Sequence, residues 1–143
     1  MMRAVFVYGT LMFPEIAAAV AGRPLAATAA TLRDYARFRV SDAPYPGIAP
    51  SGGASVAGLV FPDVDPTALE RLDTFEGEMY RREAVQVLSA DAAEPIDAET
   101  YVIRPRWRPL LADRPWDPDT FARQWHETYM RNLRAGQWVG GAG

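Results

Sequence analysis

Asp65-Pro66-Thr67-Ala68-Leu69-Glu70-Arg71-Leu72-Asp73-Thr74-Phe75-Glu76-Gly77-Glu78-Met79-Tyr80-Arg81-Arg82 reads as a helix that runs directly into a strand. Aspartate is a good N-cap, and a proline behind it sits where its missing N–H costs nothing. Leu69, Leu72 and Phe75 then recur on one face, as an amphipathic helix requires. Beyond Gly77 the period changes. Tyr80 to Leu88, with Val85 and Val87, has the composition of a strand.

Working upstream, Ser55 to Phe61 alternates as a strand that feeds this helix. Ser51-Gly52-Gly53 reads as a turn, Ile48 to Pro50 as a brief extended piece and Asp42 to Gly47 as turn punctuation. Thr28 to Val40 takes on strand character late, at Tyr35, Phe38 and Val40. Ala4 to Tyr8 is a short buried strand closed by Gly9. Pro14 and Ile16 to Ala21 then predict a helix stopped by Gly22 and Pro24.

Downstream, Ser89 to Pro95 reads as a hairpin loop and Thr100 to Ile103 as the return strand. The proline-, arginine- and tryptophan-rich stretch from Arg104 to Pro118 reads as a long ordered loop. Asp117 or Asp119 can cap a last helix, whose Phe121, Trp125, Tyr129 and Leu133 would dock it on the sheet. No repeat or linker divides the chain, so residues 1–135 are expected to form one domain and residues 136–143 a disordered tail. Helices and strands interleave irregularly and several strand pairs are joined by short turns. That pattern predicts an α+β fold on a partly closed sheet, not a doubly wound one.

Composition removes several classes of chemistry. The net charge of -3 argues against a nucleic-acid binder, and all 15 basic residues are arginine, so lysine nucleophiles and Schiff bases are excluded. There is no cysteine, hence no thiol catalysis, disulfide or thiolate metal site. No apolar run approaches the roughly 20 residues that span a bilayer, and the N-terminus lacks the marks of a signal peptide. The expectation is a cytoplasmic protein without membrane or nucleic-acid partners.

Two segments carry candidate chemistry. Tyr8-Gly9-Thr10-Leu11 ends a strand in a glycine turn without a GxGxxG or P-loop pattern. On residues alone it is either a tight turn around a packed tyrosine or a nest of backbone N–H groups able to hold an anion. Glu76 follows the capped helix beside apolar Phe75. There it is either a solvated acid paired with Arg81 or Arg82, or a partly desolvated carboxylate suited to general base work. Asp73, Glu78 and Glu83 are its rivals. His126, the one histidine, is expected on a helix surface; no metal-ligand spacing accompanies it. Asp65 is a better cap than metal ligand. Trp107 and Trp116 with their arginines suggest a pocket wall or a packing loop.

Taken in order, Val7-Tyr8-Gly9-Thr10-Leu11-Met12-Phe13-Pro14-Glu15, Tyr45-Pro46-Gly47-Ile48, Val56-Ala57-Gly58-Leu59-Val60-Phe61, Leu69 to Gly77, Tyr80-Arg81-Arg82 and Thr100-Tyr101-Val102 resemble the γ-glutamylcyclotransferase-like family. The likeness is to the plant avirulence-induced subgroup and its bacterial relatives, and it spans roughly Val5 to Leu133. It implies a small mixed β-barrel flanked by helices, with a docked C-terminal helix. It also implies an enzyme that cyclises a γ-glutamyl group to 5-oxoproline and releases an amine, without metal or organic cofactor. The family's catalytic glutamate falls on Glu76 and its substrate loop on Tyr8, Gly9, Thr10 and Leu11, with Thr10 where some relatives have serine. Tyr45, Tyr80, Arg82 and Tyr101 complete the expected pocket, as ligand contacts or supports. Since fold does not fix function, the alternative expectation is a non-catalytic small-molecule-binding or stress-associated module on the same fold. The leaving amine and the oligomeric state are open.

Overall fold

A computed structural model describes residues 1–136 of the chain. Five strands close into a barrel: β1 (Arg3–Val7), β2 (Thr28–Arg39), β3 (Pro46–Val64), β4 (Tyr80–Ser89) and β5 (Ile96–Ile103), in the spatial order β1-β3-β2-β4-β5. Neighbours pair antiparallel except at the seam. There β1 runs parallel to β5, with Val5 opposite Glu99 and Phe6 opposite Thr100. The sheet is therefore mixed and fully closed, which removes the free edges that the partly closed sheet expected from the sequence would leave.

Four helices flank the barrel: α1 (Pro14–Ala21), α2 (Pro66–Glu76), α3 (Pro118–Gln124) and α4 (His126–Arg134). The cap expected of Asp65 is present, its Oδ1 accepting from Ala68 N at 2.7 Å with Pro66 behind it. Leu69, Leu72 and Phe75 are buried as their spacing requires. Gly77, at φ +76, lets the chain leave α2 immediately after Glu76, and its N–H closes the helix on the Asp73 carbonyl at 3.2 Å.

Three sequence expectations are corrected. Ser51-Gly52-Gly53 is not a turn between strands but the middle of the 19-residue strand β3. Opposite it β2 is irregular between Arg33 and Tyr35, and Asp34, at φ +66, accepts from Gly53 N at 3.0 Å. The turn-forming residues are thus used for a bulge that bends a paired ribbon. Thr28 to Arg39 is strand throughout, because pairing with β3 overrides its mixed local composition. The single last helix is two, broken at Trp125 (φ -125), which lets Phe121 and Tyr129 both reach the core while Trp125 stays partly exposed.

The core is divided in two. Phe6, Tyr8, Leu32, Ile48, Val56, Val60, Val87 and Val102 form one cluster. Val7, Leu11, Ile16, Leu72, Phe75, Tyr80, Phe121 and Tyr129 belong to a larger one shared with the helices. β1 serves both, with Phe6 and Tyr8 facing the first and Val5 and Val7 the second, as a period of two dictates. Gly58 is where β3 and β1 come closest: a Cβ there would overlap the Val7 carbonyl. The stretch from Arg104 to Pro118 is ordered, as expected, and holds a 3-10 turn at Pro105–Leu110. Residues 136–143, read as a tail, lie outside the described residues except for Gly136.

Candidate active site

Glu76 ends α2 and is 3 % exposed. Its charge is felt by five tyrosines, three of them in β4, β5 and α4 and two, Tyr8 and Tyr45, beside the ends of β1 and β3. Burial pushes the Tyr8 hydroxyl well above its ordinary value, and Glu76 adds to the push. The same two causes raise Tyr45. In Tyr80 burial again leads, followed by Tyr8 and Glu76. Burial, the hydrogen bond to Asp73 and then Glu76 raise Tyr101. Tyr129 is raised by burial and by Glu76, with the Thr10 hydroxyl pulling the other way. These phenols stay neutral through any physiological range.

Most of those hydroxyls are held by backbone carbonyls or by a second acid. Tyr8 Oη donates to Tyr101 O and Tyr80 Oη to Pro46 O, each at 2.7 Å. Tyr101 Oη donates to Asp73 Oδ1 at 2.6 Å. Asp73 lies one helical turn before Glu76 and also accepts from Arg82, at 3.1 and 3.2 Å. Arg82 in turn donates to both Glu99 carboxylate oxygens at 3.0 Å, and Arg3 reaches Glu99 at 2.8 Å. A charged clasp thus joins α2, β4 and β5 beside Glu76.

Glu76, Tyr80, Arg82 and Tyr101, all anticipated from the sequence, line a cleft of about 350 Å3 with Asp73 and Arg104. Tyr8 to Leu11 and Tyr45 do not line it. The glycine segment approaches Glu76 from the interior instead, through Tyr8 and through Thr10 against Tyr129. It forms a 3-10 turn at Thr10–Met12, in which Met12 N donates to Gly9 O at 3.0 Å and Phe13 N to Thr10 O at 3.2 Å. The first N–H groups of such a turn have no partner within it. Thr10 and Leu11 are fully buried, and the Leu11 side chain belongs to the core.

Three residues of this region escaped the sequence reading. In the sequence Tyr129 reads as a helix-docking residue alone. Asp73 reads only as a rival acid. Arg37 carried no signal; its Nη1 donates to Tyr8 O at 2.7 Å. His126 is not a free surface residue: it is half-buried against the rings of Phe13 and Phe121 and lies 3.4 Å from Glu15. Among the described residues no group of histidines and acids could hold a metal ion, and no helix is long and apolar enough to cross a membrane.

A family model described as γ-glutamyl cyclotransferase, AIG2-like, matches residues 5–120, which takes in β1, the glycine segment, α2 and β5. The chain belongs to that family. Within it, Protein AIG2 C of Arabidopsis thaliana is 37% identical over 98 residues, 68% of this chain and 59% of that protein, so the match covers less than two thirds of the relative. Among solved structures, the solution structure of an Arabidopsis thaliana protein superposes with a TM-score of 0.69 at 30% identity, covering 95% of this chain and 82% of the other. A structure titled gamma-glutamyl cyclotransferase superposes at a TM-score of 0.64 and covers 100% of this chain and 94% of that one. At 17% identity it shows a shared fold. The closed mixed barrel with flanking helices is the fold of this family.

Proposed function

We propose that the protein is a cyclotransferase that acts on a γ-glutamyl amine or γ-glutamyl amino acid, releasing 5-oxoproline and the free amine. The observation that carries this reading is Glu76: a carboxylate buried at a helix end and lining a cleft, whose charge also raises Tyr8 and Tyr129, the neighbour of Thr10.

The substrate supplies its own nucleophile. Its α-amine attacks its γ-carbonyl carbon, a C–N bond forms, and the original γ-amide C–N bond breaks. No water is consumed, and the protein need only hold the folded conformer. Glu76 takes the proton from the attacking amine and returns it to the leaving amine. The N–H groups of Gly9, Thr10 and Leu11 receive the α-carboxylate or the developing oxyanion. Tyr80 walls the cleft beside Glu76, and Tyr45 supports it from outside the cleft. Arg82 and Tyr101 serve it through Asp73, which anchors the last turn of α2.

The test offers purified protein a panel of γ-glutamyl amines and amino acids and measures 5-oxoproline. Turnover that disappears in Glu76→Gln supports the reading. Release of glutamate in place of 5-oxoproline would mean a water nucleophile and would overturn it, as would a panel without any turnover.

A further inference from the structure

Arg37 lies on β2, opposite Ile48 of β3, and reaches across to the end of β1. Its Nη1 donates to Tyr8 O at 2.7 Å and, more weakly, to Ala57 O at 3.3 Å. On the other side its guanidinium lies over the Trp116 ring, 5.3 Å from the centroid. Trp116 is itself fixed: it is 4 % exposed, its Nε1 donates to Pro44 O at 2.7 Å, and its ring packs against Phe121 at 5.9 Å. Among the described residues no carboxylate forms an ion pair with Arg37. Burial lowers its basicity, with Asp117 opposing from a distance, and an arginine still remains a cation at any working pH. A half-buried charge therefore spends its shortest hydrogen bond on one backbone carbonyl.

That carbonyl belongs to the Tyr8–Gly9 peptide. No cis peptide occurs among the described residues, and in a planar trans peptide C=O and N–H point in opposite directions. Fixing Tyr8 O on the guanidinium therefore fixes Gly9 N–H pointing away from it. A glycine peptide is otherwise the easiest in the chain to rotate. The cation also draws electron density through the amide, which strengthens the opposite N–H as a donor. Lysine could supply the charge, but not the flat face that stacks on Trp116.

We infer that Arg37, held flat by Trp116, is a positioning residue that aims and polarises the Gly9 N–H for an anionic group of the substrate. The inference rests on the cyclotransferase reading for the identity of that anion. It gives the tryptophan-rich stretch a function: Trp116 is the backing of the guanidinium rather than a wall of the pocket.

The test uses Arg37→Met, Arg37→Lys and Arg37→Ala in the full chain, with thermal unfolding run alongside. Arg37→Met is expected to lose roughly 10- to 100-fold in kcat/KM, the usual range for a hydrogen bond to a charged group. Arg37→Lys should recover part of that loss, and added guanidinium, below denaturing concentration, should restore folded Arg37→Ala. A second readout needs no turnover: the Gly9 amide 15N resonance should move in Arg37→Met while that of Gly77 does not. Activity within twofold of the parent, a folded Arg37→Ala that guanidinium does not restore, or an unmoved Gly9 resonance would each overturn the inference. If the parent makes no 5-oxoproline, the cyclotransferase reading fails while the Gly9 resonance still decides what Arg37 does.

Discussion

Asp73 and Glu76 stand one turn apart on the same helix and have been placed in opposite surroundings. The Asp73 side chain is 39% exposed and accepts from Arg82 and Tyr101, inside a network that runs on to Glu99 and Arg3. Glu76 is 3 % exposed, and its charge helps to raise the phenols of Tyr8, Tyr45 and Tyr80. Arg82 and Tyr101 tie up the lone pairs of the first carboxylate. The second is kept from water at the end of the helix, in the burial that suits a carboxylate to exchanging a proton. Chemical type and chain position do not separate the two; their neighbours do.

Exchanging the roles of these two sites by mutation tests that contrast most directly. Glu76→Gln keeps the shape and removes the base, and is expected to lower kcat about 10²- to 10⁴-fold, the usual worth of positioned acid–base catalysis, with little change in melting temperature. Asp73→Asn should do the reverse, leaving turnover within about tenfold while weakening the clasp. Comparable losses of kcat in the two variants would erase the distinction.

The raised tyrosines offer a pH test. Folding raises these hydroxyls above the unfolded value near 10. Above that pH the unfolded chain therefore releases protons that the folded chain keeps. The stability they confer is complete below about pH 10 and declines as pH climbs toward the folded values, by about 1.4 kcal/mol per pH unit for each tyrosine involved. Denaturant titrations at rising pH should show this decline. Tyrosinate absorbance from the buried rings should appear only with unfolding; its appearance in the folded protein would mean that the ring is hydrated.

On the charged side the expected effects are smaller. Arg82→Met leaves Asp73 and Glu99 without their shared donor and should cost about 1–2 kcal/mol, less than a fully buried pair because both partners are partly solvated. Asp65→Ala removes the cap at the other end of α2, with an expected loss of about 1 kcal/mol in denaturant unfolding and unchanged kinetics.

What the sequence made legible follows the same division. The Asp65-Pro66 start, the Leu69, Leu72 and Phe75 face and the strand after Gly77 depend on local rules, and α2 and β4 follow them. Glu76 came forward with its rival acids because the helix end and its apolar neighbour are local as well, and the ordered series of family motifs singled it out. Ser51 to Gly53 misled because turn chemistry is local while the choice between hairpin turn and bulge is made by the partner strand, through Asp34. Arg37 and Tyr129 were illegible for a related reason. Each meets the site across a long stretch of chain, and neither periodicity nor composition records which distant carbonyl or carboxylate a side chain will face.

The parallel seam between β1 and β5 bears on how the chain can be made. Thr100 Oγ1 donates to the Phe6 carbonyl across 94 residues, and pairing with β5 closes the barrel at that point. On a ribosome adding about 5–20 residues per second, β1 would leave the exit tunnel roughly 5–20 seconds before its last partner. β2 and β3, joined by a short connection, can zip as soon as they emerge. The strand that carries the glycine segment is thus the first to be synthesised and the last to be fully paired. Nascent chains released before Ile103 should hold the β2–β3 ribbon while β1 remains open to proteolysis.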